Sequence, residues 1–256
     1  MISFTRSSPS LNELLARGMY TIPAGLPFAQ DLAAGILASV QTPEQLAEIK
    51  ILLPSRRAAQ ALKTAFIQQS EGQALFLPDM QPIGDVDELD PGFLSQHFQA
   101  DDLSDLLPAI SLTDRQMILA RLIQSRSVSG QPLSAAQAFR LAASLARFLE
   151  QIYQSGGCFS DLKEADIPPE FARHWSEIVT FLGIVLQNWP EITKEMGVMD
   201  PSVRRLALLD KQLRNWSEQP PKTPVILAGS TGSLPKTVAL MRAVRALPAG
   251  LLVFPG

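Results

Sequence analysis

Val225-Ile226-Leu227-Ala228 is followed at once by Gly229-Ser230-Thr231-Gly232-Ser233 and then by Leu234-Pro235-Lys236-Thr237. Four consecutive apolar residues, two of them β-branched, read as a strand buried on both faces. The glycines and hydroxyls read as a tight turn, and Pro235 suits the first turn of a helix. A strand, a Gly/Ser turn and a helix in that order belong to an α/β domain with a parallel sheet. The turn is where such a domain places phosphate or metal chemistry. The residues that would perform it are missing: no acidic pair follows the strand to hold magnesium, and Pro235 stands where a phosphate cradle needs glycine before Lys236-Thr237.

The same grammar recurs near the start. Tyr20 to Ala24 reads as a short strand, Gly25-Leu26-Pro27 as a turn, and Phe28 to Val40 as a helix with apolar residues at 28, 32, 36, 37 and 40. Ile49 to Leu53 reads as a second strand ending at Pro54. Ser55 is a good N-cap for a helix reaching about Gln69, with Ala59, Leu62, Ala65 and Phe66 on one face. Ala74 to Leu77 reads as a third strand, leading into a polar segment from Pro78 to Asp90. At the other end, Leu234 to Ala246 is a helix and Gly250 to Phe254 a final strand. The chain stops at Pro255-Gly256, where an α/β domain would continue, so a piece of a longer protein is expected.

From about Ser111 to Gln219 the pattern contains helices and no convincing strand. Thr113 is placed to cap a helix to about Ser127. Ser134 is placed to cap a long one to about Tyr153, burying Ala138, Leu141, Ala142, Leu145, Phe148, Leu149 and Ile152. Pro168-Pro169 precede another helix reaching about Met196, with Pro190 marking a bend or a new turn. Asp200 caps Pro201 to Trp216. The expected organisation is therefore an α/β domain made of 1–100 and 221–256, interrupted by an all-helical insertion over 101–220.

Composition narrows the chemistry. With 256 residues and 46% apolar content, a sizeable core is available. A formal net charge of −3 excludes a dominant basic footprint for nucleic acid and leaves room for a local one. One cysteine, Cys158, excludes an internal disulfide framework, a thiolate zinc site or an iron–sulfur cluster built from this chain alone. His97 and His174 are too far apart for a metal motif. Met1 to Leu15 lacks the apolar core of a secretory signal, and no run of 18 apolar residues exists, so a cytoplasmic protein without a membrane segment is expected.

Each motif has a bland reading beside the chemical one. The turn at Gly25 has one glycine, no lysine, and two prolines, Pro23 and Pro27, that each remove a donor; a structural turn explains it as well as a phosphate loop. Ser55-Arg56-Arg57 at a strand end and helix start can hold a phosphate through backbone amides and guanidinium groups, or can be a cap followed by two solvated arginines. Asp79, Asp85, Asp87, Glu88 and Asp90 can hold a divalent cation or form a solvated acidic loop. Gly229 to Ser233 can form an anion nest, or a turn with Ser233 capping the helix. Trp175, Trp189 and Trp216 stand at helical spacing among apolar residues and read as core. No nucleophile–base set and no metal site stands out.

Several segments together carry a resemblance: Tyr20-Thr21-Ile22-Pro23-Ala24-Gly25, Leu52-Leu53-Pro54-Ser55-Arg56-Arg57-Ala58-Ala59, Leu77-Pro78, and Pro82-Ile83-Gly84-Asp85-Val86-Asp87-Glu88. Trp189-Pro190, Asp200-Pro201, Arg204-Arg205, Ala207-Leu208-Leu209 and Ala228-Gly229-Ser230-Thr231-Gly232-Ser233 continue it. In this order, over nearly the whole chain, they resemble the N-terminal region of the AddB family in its alphaproteobacterial form. AddB is a subunit of the AddAB helicase–nuclease, which processes double-strand DNA breaks for recombination.

The resemblance implies a superfamily 1 helicase-like α/β domain with a helical accessory subdomain. It implies that Gly25-Leu26-Pro27 stands where an active motor has Gly-Lys-Thr, and Gly229-Ser230 where it has Asp-Glu. Both would be degenerate nucleotide loops unable to hydrolyse ATP by the usual route. It also implies DNA contact at Ser55, Arg56 and Arg57, and near Gly84 and Asp85. The implied partners are an AddA-like motor subunit, in a heterodimer, and DNA; no cofactor is implied for this stretch. The family's nuclease domain would lie beyond Gly256. Two other readings stay open: a divergent nucleotide hydrolase using Gly229 to Thr237 with Lys236, and a pure protein-interaction scaffold.

Overall fold

The computed structural model describes residues 10–70, 72–83, 105–125, 133–156, 182–183, 185 and 188–256. The chain divides into two compact units, one made of 1–93 and 209–256, the other of 94–208.

The discontinuous unit is a parallel α/β layer structure. Its described elements are α1 (Leu11–Arg17), β1 (Met19–Ile22), α2 (Phe28–Ser39), α3 (Pro43–Ala47), β2 (Lys50–Leu53), α4 (Arg56–Gln69) and β3 (Asp79–Pro82). After the helical unit come β4 (Val225–Ala228), the helix Pro235–Ala246 and β5 (Gly250–Pro255). Among the described residues the sheet has five strands, all parallel, in the order β1-β5-β4-β2-β3. The fold class is therefore α/β with a parallel sheet.

The period of two along each central strand divides the core. Ile51, Leu53, Ile226, Ala228, Leu251 and Val253 point to one face, against Leu32 and Ile36 of α2 and Leu62 and Phe66 of α4. Leu52, Val225, Leu227 and Leu252 point to the other, against Leu240, Met241 and Val244 of the last helix. Both faces are apolar because both are covered, the usual condition of a parallel sheet. Each fully buried side chain of this size contributes roughly 1.5–3 kcal/mol by leaving water. The connections that step from β1 to β2 to β3 carry α2 and α4 on one face. The step back from β4 to β5 carries its helix on the other, as a constant crossover hand requires.

Local signals account for most boundaries. Ser10 opens α1 with a capping box to Glu13, and Gly18, at φ 72°, closes it. Ser55 caps α4, its hydroxyl accepting from the Ala58 amide at 3.2 Å. The third strand is not Ala74 to Leu77: residues 73–78 have no regular structure, and the strand is Asp79–Pro82. It is the sheet edge, anchored by the Asp79 amide donating to the Ile49 carbonyl at 3.0 Å and the Ile83 amide donating to the Leu53 carbonyl. An edge position tolerates the polar sequence and Pro82, which a central strand would not.

In the other unit the described elements are α5 (Leu112–Ser125), α6 (Ala135–Ser155) and helical residues 188–195, with the start of α7 (Pro201–Glu218). Its core gathers Leu119, Ile123, Ala138, Ala142, Leu145, Leu149, Val185 and Trp189. Two expectations are corrected here. Ser111, not Thr113, starts α5: the Asp114 amide donates to its hydroxyl at 3.0 Å, two residues earlier than expected. Leu141 is exposed, because it lies at the rim of the stripe set by Ala138, Ala142, Leu145 and Leu149. Pro190 lies within the helical residues 188–195. Much of the helix expected from Pro168 to Met196, with Trp175, lies outside the described residues, as do Cys158, His97 and His174.

The charged centre of this unit is buried. Asp200 caps α7 through Oδ1, which accepts from the Ser202 amide at 2.9 Å. Its Oδ2 accepts from Trp189 Nε1 at 3.0 Å and lies 2.9 Å from Arg115 Nε. That Nε makes no hydrogen bond of acceptable angle, so charge holds the pair, while Arg115 Nη2 donates to the Ala146 carbonyl at 3.1 Å. The two ionised side chains are 5% and 2% exposed. Burial, with the Asp200 charge nearby, pushes the Tyr153 phenol up to about 12.

The last helix of the chain, Pro235–Ala246, is α8. Among the described residues no helix is long and apolar enough to cross a membrane.

Candidate functional site

In an open parallel sheet, ligands bind beyond the carboxyl ends of the strands, where connections leave in opposite directions. Here the chain leaves β2 toward β3 and leaves β4 toward β5, so the switch lies between the neighbours β2 and β4. The turns that follow them are Pro54-Ser55 and Gly229 to Ser233, two of the stretches singled out from the sequence. A third joins them. A Cβ built on Gly229 would stand 3.2 Å from Phe28 Cε1 and 3.6 Å from Pro54 Cδ. A residue from the start of α2 and one from the turn before α4 therefore close on the glycine after β4. Gly229 has φ 75°, so both conformation and space require glycine there.

The chemistry of these turns is mostly consumed internally. After β1, the Leu26 amide donates to the Pro23 carbonyl at 3.3 Å, and Gly25 takes φ 90°, the arrangement of a turn with a left-handed third residue. With Pro23 and Pro27 lacking amide protons and Leu26 engaged, little is left to aim at a phosphate. After β4, the Gly229 amide donates to the Val253 carbonyl at 2.9 Å and the Gly232 amide to Ser230 Oγ at 3.3 Å. The Thr231 and Ser233 hydroxyls lie 2.9 Å apart. Ser233 does not cap α8. Leu234 holds the N-cap position without any side-chain hydrogen bond, because Pro235 sets the start of the helix one residue later than a Ser233 cap needs.

Lys236 is held by Asp210 of α7. Its Nζ donates to Oδ1 at 2.5 Å and to Oδ2 at 2.7 Å. Both side chains are more than a third exposed, 38% and 40%, so the pair is worth little as stability. Its effect is positional: the one lysine that mimics a phosphate-binding motif is matched with a carboxylate of its own chain. Asp210 is 26 residues away in sequence, and no spacing rule announces it.

Ser55, Arg56 and Arg57 stand at the start of α4 as expected, but helical geometry separates the arginines by about 100° around the axis. Arg56 lines a surface groove of about 390 Å³ between α4 and the segment leading into β3. Gln60 and Lys63 of α4 line it too, facing Leu77, Pro78, Asp79, Met80 and Pro82. Arg57 is exposed and is not among the lining residues. Gln60 and Lys63 escaped the reading of the sequence; their spacing of four and seven residues from Arg56 was the available signal.

Asp79, expected in an acidic loop, is a strand residue. Its Oδ2 accepts from Gln81 Nε2 at 2.8 Å and lies 3.7 Å from Lys50 Nζ. Burial pushes the Lys50 ammonium below its usual range, and the Asp79 charge partly restores it. Gly84 and Asp85 lie outside the described residues, as do Asp87, Glu88 and Asp90. Among the described residues no three His, Cys, Asp or Glu gather as a metal set. Trp189 is fully buried, and Trp216 is half-buried against the α8 side of the sheet.

No protein-family model matches the chain, and comparison with curated proteins likewise finds no match.

Proposed function

We propose that the chain is a catalytically silent, helicase-like portion of an AddB-type subunit. It guides DNA and docks an ATP-driven AddA-type motor while double-strand break ends are processed for recombination. One observation carries the silent part of this reading: at the switch point of the sheet, β4 runs into Gly229-Ser230, and the only lysine in that loop and helix start is clasped by Asp210. Phosphoryl transfer needs positioned cations and a magnesium ligand set at that place. The DNA-guiding part rests on Arg56 at the start of α4, beside the switch point, where guanidinium and helix amides favour phosphate.

The test is binding of ATP and of a single-stranded oligonucleotide by the 256-residue chain at low salt, side by side. The expected result is salt-sensitive oligonucleotide binding, weakened by the joint change Arg56→Ala and Arg57→Ala, with no saturable ATP binding. Saturable ATP binding that is lost in Lys236→Ala would overturn this reading in favour of a divergent nucleotide hydrolase. Binding of neither ligand would favour a protein-interaction scaffold.

A further inference from the structure

The groove beside α4 extends the candidate site in a direction that Ser55-Arg56-Arg57 does not indicate. Arg56, Gln60 and Lys63 share one face of α4, and the helical rise spreads the two cations over about 10 Å. Among the described residues the opposite wall is apolar apart from Asp79: Leu77, Pro78, Met80 and Pro82. Asp79 accepts a hydrogen bond from Gln81 at Oδ2 and lies 3.7 Å from Lys50 Nζ, so its charge is shared with a lysine outside the lining. The result is a trough with two cations and an amide along one side and an aliphatic surface along the other. A single nucleic-acid strand presents the matching pair of edges, a line of phosphates and a line of bases. A peptide would need its acidic residues spaced to fit.

We infer that this groove is a path for single-stranded nucleic acid, in which Lys63 and Gln60 continue the phosphate contacts begun at Arg56, and from which Arg57 is excluded. The inference rests on the DNA-guiding reading above and sharpens it to particular residues. Among the described lining residues the two prolines and Leu77 offer no aromatic stacking platform, so recognition is of the backbone and tolerant of sequence.

The experiment is oligothymidylate binding as a function of salt, for the unchanged chain and for Arg56→Ala, Arg57→Ala, Gln60→Ala and Lys63→Ala. All four positions are exposed on a helix that alanine favours, and circular dichroism checks that each variant is folded. Arg56→Ala and Lys63→Ala should each weaken binding several-fold and flatten the plot of log K against log salt by about 0.7. Gln60→Ala should weaken binding without changing the slope, and Arg57→Ala should match the unchanged chain. If Arg56→Ala weakens binding and Lys63→Ala does not, the groove is not the path, although DNA guiding stands. If the unchanged chain binds no oligothymidylate, both readings fall. Binding of poly-glutamate but not oligothymidylate, lost in Lys63→Ala, would reassign the groove to a protein partner.

Discussion

The turn after β4 and the surroundings of Asp200 use polar groups in opposite ways. In the turn after β4, where a nucleotide enzyme would concentrate charge, there are glycines, hydroxyls and one lysine tied to Asp210 at the surface. In the helical unit, where nothing suggests catalysis, Arg115 and Asp200 form a nearly inaccessible ion pair bonded to an indole and a helix start. The position of a charge does not reveal its work. A buried pair with every remaining oxygen occupied specifies an arrangement, whereas an exposed pair mainly decides what a side chain is unavailable for.

The sharpest way to break this comparison is Asp200→Ala. It strands the Arg115 guanidinium, removes the partner of Trp189 and uncaps α7, so it should cost about 3–5 kcal/mol in denaturant unfolding. A loss under 1 kcal/mol would mean the network is ornamental. Alkaline titration examines the same place. The Tyr153 phenol has its pKa raised from 10.0 to about 12, so the neutral form stabilises the fold. That contribution is complete below pH 10 and should fade as the pH rises from 10 toward 12, seen as falling midpoint with rising tyrosinate absorbance.

Gly229→Ala addresses the sheet edge. A left-handed alanine whose Cβ meets Phe28 should cost about 1–3 kcal/mol. An unchanged melting temperature would show that Phe28 and Pro54 do not close on Gly229. Ser55→Ala should cost about 1 kcal/mol through the lost cap to Ala58. Smallest of all, Asp210→Ala should change stability by no more than about 1 kcal/mol. It is also the more informative partner of Lys236→Ala: if freeing Lys236 from Asp210 creates ATP binding where none existed, the Asp210 clasp is what keeps this loop silent.

Elements with strong local signals were legible in advance. β4 and β5 are continuous apolar runs, and Ser55, Ser134 and Asp200 cap the helices they were expected to cap. Elements stabilised by neighbours were not. β3 is Asp79-Met80-Gln81-Pro82, four residues with no strand signature, paired because β2 offers an open edge. The short helices α1 and α3 give no such signal, since five to seven residues show too little periodicity to register. Of the candidate site, the turns at Gly25, Ser55 and Gly229 were visible as punctuation between apolar runs; their convergence was not.

By itself, then, the order of residues determined an α/β chain with a parallel sheet, the glycines after β1 and β4, and the absence of an acidic pair behind Ala228. Local propensity, period and capping act over a few residues and can be read along the chain. Only the tertiary structure decided that Lys236 answers to Asp210, that Asp200 joins Arg115 to Trp189, and that Arg56 shares a groove with Lys63 while Arg57 turns away. Those pairings depend on which helix faces which strand, and packing sets that over separations no local rule spans.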